Sequence, residues 1–284
     1  MKKSIWRKIG WFLIALMPAA GSLLLQFCAG IFWMFCIAIW TGYQNAGAKI
    51  SNSQLVEMTQ ENYMSHVIYA IILYQLLALL ILGIWYYCAY GRKPRPQNIE
   101  KAGTKEILII ILSGALIQVF VSGILGMIYL LLPDLLSGYT EMMQESGITE
   151  GTLTALFSTV ILAPLGEELL CRGVTLRLAE KVSDRFWVAN CIQALAFGLI
   201  HANWVQGIYA FGIGLVLGYL YGKYRNIWLC MLLHASLNLS SNYVDSLWAL
   251  LPEQGVIVQL LMICCLCLAC LAMCYRILEK RKTI

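Results

Sequence analysis

The chain reads as an all-α, polytopic membrane protein of about eight transmembrane helices, and three observations predict this. Of its 284 residues, 60% are hydrophobic and only 12% are charged, whereas a soluble domain carries about a quarter charged residues. Uncharged runs recur at the ~20-residue length that crosses a hydrocarbon core as a helix. With the N-terminus inside, nineteen of the twenty Lys and Arg residues fall in inner segments and Lys49 alone falls in an outer loop, the bias that cytoplasmic loops show. This composition excludes an ordinary cytosolic enzyme, a disordered chain and a secreted disulfide scaffold. The net charge of +5 is then topological, and no nucleic-acid partner is implied. The expected setting is the cell membrane, multi-pass, with both termini cytoplasmic and the lipid bilayer as the first partner.

The first uncharged run covers 11–43, with Pro18 and Gly21 as a place to bend. Lys2 and Lys3 precede it, and Pro18-Ala19-Ala20 is a poor cleavage site, so it reads as an uncleaved signal anchor. The second and third runs cover 67–90 and 107–132. The loop between them, 91–106 with Pro94 and Pro96, is the plausible hinge, dividing N-terminal helices and a cytoplasmic loop (1–106) from a membrane core (107–284). The loop 133–151, with Asp134, Glu141, Glu145 and Glu150, reads as solvated surface. A fourth run begins near Thr152 and passes through Pro164, Glu167, Glu168 and Arg172 to about Lys181. Runs at 187–203, 205–221, 227–239 and 256–275 complete the set. Gly214, Gly218 and Gly222 repeat at every fourth position, a spacing that lets helices approach closely. The eleven cysteines, five of them in the last run, read as small packing residues.

Ionisable groups at membrane depth are costly and default to function. Here they are few: Glu167, Glu168 and Arg172 in the fourth run, His201 in the fifth and His234 in the seventh, accompanied by Asn203 and Asn238. His66, at the mouth of the second run, reads as interfacial. Neighbours four apart share a helix face, so Glu168 pairs with Arg172, which reads equally as a structural ion pair or part of a catalytic motif. His234 and Asn238 point the same way, and Phe197 packs beside His201. Glu167 lies about 100° round the helix from Glu168, its carboxylate left for another task. At ~1.5 Å per residue, Glu167 and His201 both lie roughly 21 Å from their inner helix ends and His234 about 10 Å, so the set can surround one intramembrane cavity.

Such a set permits hydrolysis by activated water. A carboxylate serves as general base, His201 shares that task or ligates a metal, and His234 and Asn238 donate to an oxyanion. The metal candidates are Glu167, His201 and His234, which would make a zinc set; whether one divalent ion such as Zn²⁺ or none is used stays open. There is no His-Glu-x-x-His helix, no Gly-x-Ser-x-Gly elbow and no Gly-x-Gly-Asp.

Three motifs carry a family resemblance. Glu167-Glu168-Leu-Leu-Cys-Arg172 resembles Glu-Glu-x-x-x-Arg, Phe197-Gly-Leu-Ile-His201 resembles Phe-x-x-x-His, and His234-Ala-Ser-Leu-Asn238 resembles His-x-x-x-Asn. Together these are the motifs of the CAAX prenyl protease type 2 and bacteriocin-processing (CPBP) family of intramembrane endopeptidases. The resemblance spans about 152–239. It implies a helical membrane fold with an intramembrane catalytic cavity and a membrane-associated peptide or protein substrate. It also implies water activation by Glu167 and His201, an oxyanion site of His234 and Asn238, and a first motif shaped by Glu168 and Arg172, in a glutamic-type or metal-dependent protease. Two other functions stay in view: a non-catalytic, peptide-binding role in bacteriocin self-immunity, and a proton-relaying transporter. No broken-helix pair repeats in the two halves, which weighs against the transporter.

Overall fold

The structure is a computed structural model, and it describes residues 5–91, 101–148 and 151–279. Among these residues every regular element is helical. In chain order they are α1 (Ile5–Gln44), α2 (Asn52–Ser65), α3 (Val67–Tyr86, continued by a π-helical turn Tyr87–Gly91), α4 (Thr104–Leu131), α5 (Pro133–Glu145), α6 (Leu153–Ala179), α7 (Phe186–Leu199), α8 (Trp204–Tyr224), α9 (Ile227–Trp248) and α10 (Val256–Glu279). Of the predicted hinge 91–106, the stretch 92–100 lies outside the described residues. So do Glu150 and the basic residues Lys2, Lys3, Lys280, Arg281 and Lys282.

Each predicted run appears as a helix, but the eight do not form one class. Six are long and apolar enough to cross a membrane: α1, Val67–Tyr90, α4, α6, α8 and α10. The protein is thus multi-pass. The fifth run, predicted to reach Asn203, stops at Leu199 and makes a helix of only 14 residues. The seventh extends to Trp248 but carries His234, Ser236, Asn238, Ser240, Ser241 and Asn242, several of them turned onto neighbouring helices. Two helices arise where the sequence reading placed loops. α2 begins at a capping box in which Ser51 Oγ accepts from Gln54 N–H and Gln54 Oε1 accepts from Ser51 N–H, satisfying two orphan donors. α5 starts at Pro133, whose missing N–H costs nothing at a first turn, and buries Leu136.

α1 runs unbroken through Pro18 for 40 residues, about 60 Å at 1.5 Å per residue, roughly twice a hydrocarbon core. It packs on α3 and α7. α4 lies along α9 and α10, and α7 along α8. Gly114 of α4 sits against the Leu233 backbone of α9, where Ser236 Oγ donates to Ile111 O at 2.7 Å. The predicted glycine stripe is a seam between α8 and α7: Gly214 faces Ala194 and Phe197, Gly218 faces Asn190 and Gln193, and Gly222 faces Phe186. The described cysteines are all free, and the buried ones pack, as where Cys230 Sγ donates to Leu217 O.

Basic residues of α6, α8 and the turns that follow them gather at one end of the bundle, against side chains of α1, α3 and α10. Lys181 lies over the Trp11 ring and Arg177 over Tyr86 and Tyr90, Arg225 pairs with Glu180 at 2.8 Å, and Lys223 pairs with Glu279 at 3.1 Å. The alternation of charge along the sequence thus corresponds, over these residues, to one shared end.

Candidate active site

The site is built on an irregular helix. Within α6, Phe157–Leu162 and Leu169–Thr175 are π-helical, with Ala163 N–H bonded to Ser158 O and Leu176 N–H to Cys171 O. Between these wide turns stands a short α-helical stretch, Ala163–Glu168, that ends on the two glutamates. Single wide turns of this kind recur at functional sites.

The first wide turn creates an acceptor. In an i→i+5 register the Thr159 carbonyl would bond to residue 164, and residue 164 is a proline without an N–H. Asn238 Nδ2 of α9 supplies that donor at 2.8 Å. Its remaining amide hydrogen and its oxygen are left for other partners. His201 is anchored in the same way. α7 ends at Leu199, Ala202 turns the chain with a left-handed φ of +53°, and Asn203 caps α8 by accepting from Gln206 N–H at 3.1 Å. His201 N–H bonds Gly198 O, which leaves the Phe197 carbonyl for the His201 ring at 2.7 Å. A carbonyl only accepts, so Nδ1 carries the hydrogen and Nε2 is the free base. His201 therefore sits on a turn rather than within a span, and Asn203 is a cap rather than a site residue.

The two glutamates have separate surroundings, as their 100° offset predicts. Glu168 and Arg172 are both 0% exposed: Arg172 Nη1 meets Glu168 Oε1 at 2.8 Å, and Nη2 donates to Gly214 O at 3.0 Å. The glycine seam brings that carbonyl within reach. Glu168 Oε1 also accepts from His234 Nδ1 at 3.0 Å, which turns His234 Nε2 toward Glu167 Oε2, 3.8 Å away. The Glu167 side chain is 23% exposed. Nε2 and the carboxylate are too far apart for a direct hydrogen bond. The Phe197 ring holds the group together: the Arg172 guanidinium lies over its face at 4.8 Å, and the His201 and His234 rings meet it edge-on at 5.2 and 5.6 Å.

The structure thus brings Glu167, Glu168, Arg172 and His234 into direct sequence of contact, ties His201 to them through Phe197, and aims Asn238 at the same helix. His66 lies apart, where its Nδ1 bonds Asn62 O beside Trp40. Among the described residues no three His, Cys, Asp or Glu side chains group closely enough to share a metal ion. The candidate set Glu167, His201 and His234 therefore does not fit a zinc centre here.

Sequence reasoning missed two buried amides. Gln193 Nε2 donates to Asn190 Oδ1 at 2.7 Å and to Gly214 O at 2.8 Å, and Asn190 Nδ2 donates to Leu215 O at 3.0 Å. They fasten α7 to α8 behind Arg172. Their signal was an i, i+3 pair of amides in an apolar run, overlooked because neither residue ionises.

Close packing at the turn gives a direct prediction. A Cβ on Gly198 would lie 2.7 Å from the Gly207 carbonyl oxygen, a backbone atom that cannot swing aside. Gly198→Ala is expected to lower stability by about 1–3 kcal/mol and to reduce activity by shifting His201, as thermal melting and turnover of the purified variant will read.

Residues 149–240 match the family model described as Type II CAAX prenyl endopeptidase Rce1-like, which bears out the resemblance carried by the three motifs. The matched segment contains α6 to α8 and most of α9. The chain matches no curated protein and no solved structure.

Proposed function

We propose that this protein, similar over residues 149–240 to type II CAAX prenyl endopeptidases, is an intramembrane endopeptidase that hydrolyses a peptide bond of a membrane-associated peptide or protein with activated water. The carrying observation is the convergence of Glu167, His234 and the buried Glu168–Arg172 pair, with His201 on the same aromatic ring. Its setting is the cell membrane with both termini cytoplasmic, and 152–239 is the catalytic region within the core 107–284.

Water bound near Glu167 gives one proton to that carboxylate, with His201 Nε2 as the partner base, and its oxygen adds to the scissile carbonyl carbon. The carbonyl electron pair moves onto oxygen. The second Asn238 amide hydrogen, not used on Thr159 O, serves to meet that charge, and His234 donates from Nε2 in its protonated form. Collapse expels the amine, which takes the proton held by Glu167, so a carboxylic acid and an amine leave and the carboxylate is restored. Glu168 and Arg172 do not enter the proton balance; they fix His234.

Proteoliposomes of the full chain and a farnesylated peptide ending in a CAAX sequence, with an unprenylated peptide library beside it, test this. Cleavage is expected from wild type, its loss from His201→Ala and Glu167→Ala, and no effect of a chelator. Persistent cleavage in both variants overturns the site. Loss on chelation restored by zinc overturns the metal-free scheme. Absence of cleavage by wild type that still protects cells from a peptide toxin overturns hydrolysis in favour of binding.

A further inference from the structure

The family match begins at residue 149, yet α1 and α3, far outside it, reach the glutamates. Ser22 of α1, Tyr74 and Gln75 of α3, and Gly166 and Glu167 of α6 line one small cavity. It leaves about 10 Å³ of room for the centre of a water molecule, close to what a single water takes by that measure. A cavity of that size stays dry when apolar and holds water when it offers two to four polar partners. Its wall is mostly apolar, with Leu82, Leu162 and Leu170 among the lining residues, but four polar side chains reach it, Ser22, Tyr74, Gln75 and Glu167. Ser22 Oγ and Tyr74 OH are hydrogen-bonded to each other at 2.6 Å, and Ser158 Oγ donates to Gln75 Oε1 at 2.8 Å. With its oxygen taken, the Gln75 amide keeps its hydrogens to donate. Ser22 and Gln75 are buried, so these polar groups lie deep in the protein. Glu167, the proposed base, lines the same cavity.

We infer that this cavity is the station of the hydrolytic water, a single-water site in which Gln75 and the Ser22–Tyr74 pair position the molecule against Glu167. The N-terminal helices are then part of the active site. Ser22, Tyr74 and Gln75 are positioning residues that act through the water. The inference rests on the hydrolytic reading of Glu167.

Gln75→Leu and Tyr74→Phe supply the test, since each removes a polar partner of the water and nearly keeps the side chain's volume. In proteoliposomes with the farnesylated CAAX peptide, each is expected to lower kcat at least tenfold and to leave KM within twofold. Wild-type kcat in both, while Glu167→Gln is inactive, overturns the water station and leaves the hydrolytic reading standing. Wild-type kcat in Glu167→Gln overturns that reading instead. Should Gln75→Leu melt lower than wild type through loss of its bond to Ser158, unchanged kcat in Tyr74→Phe overturns the proposal.

Discussion

Arg172→Met is expected to destabilise the protein by about 3–5 kcal/mol, the loss seen when one member of a buried ion pair is removed. Both side chains are 0% exposed, so Glu168 would be left with its charge and only the His234 ring to meet it. Removing the guanidinium also strips a donor from Gly214 O and the cation from the face of Phe197. Replacing both partners removes the stranded charge, so Glu168→Gln combined with Arg172→Met is expected to regain a large part of the stability. Denaturation in detergent of the two singles and the double forms a closed cycle. A single variant as stable as wild type would show that the pair holds nothing. The same cycle assayed for turnover separates the two sequence readings of this pair, since a purely structural pair recovers rate along with stability.

Glu167→Gln is expected to behave in the opposite way, with kcat down about 10²–10⁴-fold, the range general-base catalysis supplies, and an unchanged thermal midpoint. Glu167 is 23% exposed and stands 3.8 Å from His234 Nε2, beyond hydrogen-bonding range, so the amide replaces a group that carries little of the fold. Gln is nearly isosteric but cannot take a proton from water. KM should stay close to wild type, because the change touches proton transfer rather than substrate contact. A fall in stability equal to that of Arg172→Met would place Glu167 among the structural residues and remove it as the base.

The sequence made these two neighbours distinguishable because helical geometry alone separates adjacent side chains by about 100°. It likewise revealed the Glu168–Arg172 contact, the packing of Phe197 against His201 and the glycine seam, all of which follow from three- and four-residue spacing. What it did not reveal depends on backbone features that side chains do not advertise. Ala202 adopts φ +53°, a conformation its methyl group gives no hint of, so the run 187–203 looked continuous through His201. The wide turns of α6 left the apolar pattern undisturbed. The α2 and α5 helices did carry signals, Ser51 with Gln54 and the leading Pro133, but their polar composition pointed to loop. Tyr74, Gln75 and Ser22 were out of reach for another reason: only the tertiary packing of α1 and α3 on α6 brings them to Glu167.

His201 and Asn238 share a means of fixation. Each occupies a carbonyl that a local break in helical register had stripped of its backbone donor, Phe197 O in one case and Thr159 O in the other. The breaks therefore do more than bend the chain; they make the two proposed site residues the required partners of the backbone.

The wide turns of α6 also carry a genetic consequence. Each holds one residue more than an α-helical turn in the same place, so the registers before and after it are set by chain length rather than by side-chain identity. An in-frame loss of one codon within 157–162 would let the backbone return to i→i+4 bonding and keep the following segment facing as before, whereas the same loss within the α-helical 163–166 would turn both glutamates by about 100° relative to what precedes them. Apolar exchanges in the same stretch leave the count of residues intact. Random mutagenesis should accordingly tolerate single-codon deletions within 157–162 and reject them within 163–166.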